Sequence, residues 1–200
     1  MTAIVATMWS PTVVCAQTQV SSSSSEMRPT APWTFKASAG PATSGADGAH
    51  PGSFLQLAIE RTINDEWAVR IQNRTLRMNY DLGENPAPVT STTQLEFGVA
   101  MVRTTGPAAL IHSFIGAGAS FLVTSFGGVD APHDKALAVL GLAGFELHPE
   151  SRRWGAFVEV FVQGRQMPAE LANGRVFVAQ AGISFGASIP IPGRHRASVR

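Results

Sequence analysis

From Trp33 onward the apolar residues recur at every second position rather than every 3.6. That period puts one set of side chains on each face of a strand, so it commits most of the chain to β-structure. Trp33, Phe35, Ala37 and Ala39 alternate with Thr34, Lys36, Ser38 and Gly40. Leu55, Leu57 and Ile59 alternate with Gln56, Ala58 and Glu60, and Leu95, Phe97, Val99 and Met101 with Gln94, Glu96, Gly98 and Ala100. Similar runs predict eight strands, over 33–40, 53–63, 67–80, 92–105, 109–126, 135–148, 154–166 and 175–188. The phase of 109–126 is not set by its residues. No helical period separates the runs, which excludes parallel strands joined by crossover helices. The expected fold is all-β, an eight-stranded antiparallel up-and-down barrel.

The connections add a second pattern. Pro41 to Gly52, Asp81 to Ser91, Gly127 to Asp134 and Met167 to Gly174 read as long loops. Between them fall shorter turns at Asn64-Asp65-Glu66, Gly106-Pro107 and Pro149 to Arg153. Long loops at one rim and short turns at the other are the habit of barrels that cross a membrane.

Alternation alone does not say which face meets the core. Apolar side chains point inward in a soluble ligand-binding barrel and toward lipid in a membrane barrel. The opposite phase carries Lys36, Arg70, Arg74 and Arg165 together with Glu60, Glu96, Glu146 and Glu159. Four cations against four anions fit a closed interior in which buried charges must pair. An Arg facing lipid at mid-depth costs ~2–4 kcal/mol, so this phase is the cheaper one. Trp33, Trp67 and Trp154 open the first, third and seventh predicted strands. Odd strands start at one rim, so the three form a candidate ring of membrane-interface aromatics beside the short turns. Charged residues make up 14% of the chain and only Lys36 and Lys135 are lysines. An ordinary soluble domain carries roughly 25%, so something other than water is expected to face much of this surface. No apolar run reaches the ~18–20 residues of a membrane helix, the longest clean one being Ala136 to Phe145. Any crossing is therefore made by strands, closed so that no edge is left unpaired in hydrocarbon.

Residues 1–16 read as a signal peptide, with an apolar core from Ala3 to Val14 and small residues at Val14 and Ala16 that suit cleavage after Ala16. A basic n-region is missing, and Pro11 interrupts the core. Cleavage would remove Cys15, the one cysteine, and with it any disulfide or thiolate metal site. The Ser- and Pro-rich stretch 17–32 reads as a flexible linker, 33–188 as the barrel and 189–200 as a tail.

Candidate chemistry is sparse. His112-Ser113 is the one His/Ser pair on a predicted strand, and adjacent strand residues point to opposite faces, so the two cannot act on each other. His50 and His133 fall in predicted loops without metal-ligand spacing. Gly116-Ala-Gly118 lies inside a strand with no helix after it, which excludes a phosphate loop. No catalytic residue, cofactor or metal site is expected. A formal net charge of +1 gives no long-range reason for a nucleic-acid partner.

Eight Gly-rich strands, a charged interior and long loops on one rim resemble the small OmpA/OmpX-type outer-membrane barrels over about residues 33–188. The stretch Gln180-Ala-Gly-Ile-Ser-Phe185 is similar to that family's closing strand, although this chain runs on through Pro190, Pro192 and Arg200. The resemblance implies a place in the bacterial outer membrane, membrane lipid and the barrel-assembly machinery as partners, and a structural or surface-interaction role rather than an open pore or an enzyme. Two alternatives stay open: a secreted soluble β-barrel holding an apolar ligand, and a lipid-modifying hydrolase.

Overall fold

The computed structural model describes residues 33–46, 48–81, 89–106, 110–126, 133–148, 153–166 and 177–191. The expected signal peptide and linker, and the tail from 192 onward, lie outside the described residues. Eight strands follow in order: β1 Trp33–Ser44, β2 Gly52–Thr62, β3 Trp67–Asp81, β4 Val89–Thr105, β5 Ile111–Phe126, β6 His133–Leu147, β7 Gly155–Gln166 and β8 Phe177–Ile191. Each pairs antiparallel with the next, and β8 pairs with β1 to close the barrel.

Several strands run beyond their expected ends. β1 reaches Ser44 and β4 starts at Val89, so the first and third connections shrink to seven residues, no longer than 148–154 on the opposite rim. The sorting of connections by length is therefore weaker than the sequence implied. Residues of the expected loops have joined the ladders instead, as in the pairing of Asp81 with Val89. β8 also continues three residues past the expected boundary at 188, through Pro190. β7 begins opposite Ser188. Residues 189–191 thus have only β1 beside them, an edge where a proline without an N–H is tolerated.

Side-chain side chemistry sets the short turn before β3. Asn64 Oδ1 accepts hydrogen bonds from the backbone N–H groups of Glu66 (3.1 Å) and Trp67 (2.9 Å), an Asx turn that reverses the chain. Its register sets Glu60 opposite Arg70.

The inward face carries more than the charges expected there. Phe54, Phe114, Phe157 and Phe161 also point inward, with Leu76, Leu122, Leu140 and Leu142. An interior eight strands wide has to be filled by side chains, and charge alone does not fill it. The glycines make this possible. Phe54 lies opposite Gly40, Phe114 opposite Gly144, Phe157 opposite Gly186 and Phe161 opposite Gly182. The rings of Phe114, Phe157 and Phe161 cover the place a side chain would take at Gly144, Gly186 and Gly182; a Cβ on Gly144 would come within 2.6 Å of Phe114 Cζ. Gly116 and Gly118 similarly face Leu142 and Leu140. Gly182→Ala is therefore expected to lower stability by ~1–3 kcal/mol, as overpacking does in a filled core. Urea unfolding in lipid vesicles measures this, and an unchanged midpoint would mean that the Phe161 ring has room to move.

Candidate functional site

Because the strands alternate faces and the barrel is closed, one set of side chains meets only other side chains. Of the eight charges expected inside, Lys36, Arg70, Arg74, Glu96, Glu146, Glu159 and Arg165 are all at most 3% exposed. The Glu60 side chain, nearer a mouth, is 13% exposed. Arg70 is the hub: Nε donates to Glu60 Oε2 at 3.0 Å, Nη2 lies 2.9 Å from the same oxygen, and Nη1 binds Glu159. Lys36 Nζ donates to Glu146 at 2.6 Å and lies 3.5 Å from Glu60. Arg74 pairs with Glu96 at 3.0 Å and donates twice to Gln56 Oε1, whose amide in turn donates to Glu159 at 3.0 Å. Arg165 donates to Thr124 Oγ1 at 3.1 Å.

The sequence reading missed the aromatic sides of this network. Arg74 Cζ sits 3.6 Å from the centroid of Phe161, and Lys36 Nζ lies 5.1 and 5.4 Å from those of Phe114 and Phe157. Cation–π contact strengthens when water is excluded. Parity carried the signal, since Phe157 and Phe161 share the phase of Glu159 and Gln163.

The outer wall is the complement. Leu57, Phe97, Val99, Ile115, Leu137, Val139, Phe145 and Phe185 are exposed, several by more than half. Among the described residues, the charged side chains of the outer wall lie toward its two ends. Arg61 and Arg103 flank one rim, where Arg61 lies over the Trp33 ring at 5.4 Å and Arg103 over that of Trp67 at 5.9 Å. Trp33, Trp67 and Trp154 are all exposed at that rim, by 38%, 39% and 50%. Arg77 and Lys135 lie toward the other end. From Trp67 to Arg77 the chain advances ten residues along β3. At ~3.4 Å per residue and a tilt of ~40° that is a rise of about 26 Å, against an apolar band of ~25 Å in barrels that cross membranes. Asn73 and Thr75 are polar side chains within the band on β3, and Asn73 Nδ2 donates to the Glu96 carbonyl at 3.2 Å.

His112 and Ser113 are separated as expected. His112 is buried inside, whereas Ser113 pairs with Thr105 across the outer wall. The interior does bring His112 to Glu146 and His148, a grouping the sequence reading did not make. His112 and Glu146 are cross-strand partners on β5 and β6, and His148 follows Glu146 on the same face.

No family model matches the sequence, and no curated protein matches it either. Three crystal structures are similar in fold. Neisserial surface protein A aligns at a TM-score of 0.64 and 15% identity, covering 82% of this chain and 100% of its own. The outer membrane protein OprG of Pseudomonas aeruginosa aligns at 0.58 and 11%, covering 82% and 98%. Ail, the attachment invasion locus protein of Yersinia pestis, in complex with the heparin analogue sucrose octasulfate, aligns at 0.51 and 12%, covering 78% and 97%. Identities this low speak to architecture alone, and the architecture of this chain is that of the small eight-stranded outer-membrane β-barrels.

Proposed function

We propose that this chain is a bacterial outer-membrane barrel with a structural or surface-interaction role, held in lipid by its apolar band. The observation that carries this reading is that band: a predominantly apolar outer wall about one bilayer tall, free of charged side chains among the described residues, bounded at both ends by charged side chains and at one by tryptophans. A soluble barrel would leave the same wall in water, an apolar surface far larger than monomeric proteins expose. Its interior would also have to hold an apolar ligand where this one holds paired Arg, Lys and Glu. The same packed charges leave no room for an open pore. Surface interaction falls to the connections leading out of β1, β3, β5 and β7, which rigid strands hold together at one rim. Insertion is assigned to the barrel-assembly machinery, and no catalytic step is assigned to the chain.

Cell fractionation tests the placement. The protein is expected in the outer-membrane pellet, resistant to salt and carbonate washes and released by detergent. Recovery in the soluble periplasmic or secreted fraction without detergent would refute it.

A further inference from the structure

We propose that His112, Glu146 and His148 form a binding site for a divalent transition cation of the zinc class, inside the barrel at its short-turn mouth. Two imidazoles and a carboxylate are a donor set that zinc takes readily, leaving a fourth position open. The potential ligand atoms all lie within 4.8 Å of one another. His112 Nε2 is 3.5 Å from Glu146 Oε2, and His148 Nε2 is 3.2 Å from Glu146 Oε1. Ligands bound at ~2.0–2.1 Å in a tetrahedron sit about 3.3–3.4 Å apart, so each imidazole already stands at about that distance from one carboxylate oxygen.

Local structure explains why the set is held there. The two rings stack at 4.9 Å between centroids with 15° between planes. Pairing across β5 and β6 fixes one ring, and the end of β6 carries the other. Gly155 leaves space beside His148, since a Cβ there would come within 3.1 Å of its ring. His148 is a quarter exposed, which gives an ion a way in from the mouth.

An ordinary interior ion pair requires one cation for Glu146, and Lys36 already supplies it. Both imidazoles are additional, yet both turn Nε2 to the same carboxylate. His112 Nδ1 makes no hydrogen bond, so nothing on that side of the ring fixes the proton on Nε2. Ligation frees Lys36 to move to Glu60, already within 3.5 Å. Ser188 Oγ also donates to Glu146 and helps to hold the carboxylate. Zinc thus displaces a lysine from one carboxylate to another.

The test uses the full, tag-free chain folded in detergent micelles and titrated with zinc chloride by calorimetry. One ion is expected per barrel, with a Tm that rises with the logarithm of zinc concentration above Kd. A chelator should reverse the rise. His112→Gln and His148→Gln are each expected to weaken binding by about tenfold or more, a loss of one ligand. Lys36→Met should bind zinc more tightly than the wild type, because it removes the competitor; a purely structural lysine would not move the affinity in that direction. Circular dichroism confirms that each variant is folded. If His112→Gln does not fold, His148→Gln at the mouth carries the test alone. Absence of zinc binding by the folded wild type overturns the proposal. So does an equal affinity in folded His148→Gln, which would place the ion on other histidines. An affinity of Lys36→Met no higher than that of the wild type overturns the displacement of Lys36.

Discussion

Arg70→Met is expected to destabilise the barrel by ~3–5 kcal/mol, the loss that follows when one partner is removed from a buried charge cluster. Arg70 is fully buried and serves two carboxylates, Glu60 and Glu159. Without it Glu60 keeps Lys36 at 3.5 Å, whereas Glu159 is left with an amide donor, Gln56 at 3.0 Å. The cost therefore falls mainly on Glu159. Glu60→Ala should cost less, because Arg70 retains Glu159 and Glu60 is the one member of the cluster that water partly reaches. Adding Glu159→Gln to Arg70→Met should restore part of the loss, since a neutral group needs no counter-charge. Urea unfolding in vesicles, followed by tryptophan fluorescence, ranks the three. If Arg70→Met proves as mild as Glu60→Ala, the hub is not a hub.

That hierarchy was only half legible in the sequence. The Glu60–Arg70 pairing follows from counting outward from Asp65, and the structure places the two side by side in the β2–β3 register. Local turns fix such hairpin partners. Glu159 lies on β7, 89 residues from Arg70, and meets it only because the barrel closes and the side chains cross its interior. Period-two alternation names which residues face inward but not which reach across. For the same reason Lys36 and Glu146, 110 residues apart, could be assigned to one face but not to each other. His112 shows the limit more sharply. Its strand, 109–126, had no clear phase, because small residues occupy both faces, Gly116 and Gly118 on one and Ala117 and Ala119 on the other, and give alternation little contrast. Its cross-strand register opposite Glu146 depends on a turn that carries no pattern strong enough to count from. The glycines were legible as a composition and not as a mechanism. Their pairing with inward phenylalanines appears only once neighbouring strands are in register.

Val99→Arg is expected to cost ~2–4 kcal/mol of stability in lipid vesicles, the depth-dependent penalty for a cation at the bilayer midplane. Val99 is 55% exposed on the outer wall, between Ile71 and Ala119 on the flanking strands. It lies four residues along the wall from Arg103, which pairs with Trp67 at the rim, and so near the middle of the apolar band. The contrast is Thr93→Arg on the same strand and the same face. Thr93 pairs with Arg77, at the level where charge returns to the wall, and there the cost should fall to ~0–1 kcal/mol. Neither site touches the interior network, and the arginine at 93 would also stand opposite Arg77, a like-charge cost of up to ~1 kcal/mol that works against the contrast, so a larger loss at Val99 reports depth in hydrocarbon. Unfolding both variants in vesicles of one lipid composition gives the comparison directly. Water around the barrel would accept an arginine at either place with little change. Equal, small effects at Val99 and Thr93 would therefore remove the bilayer from around this wall, and with it the reason for its apolar band.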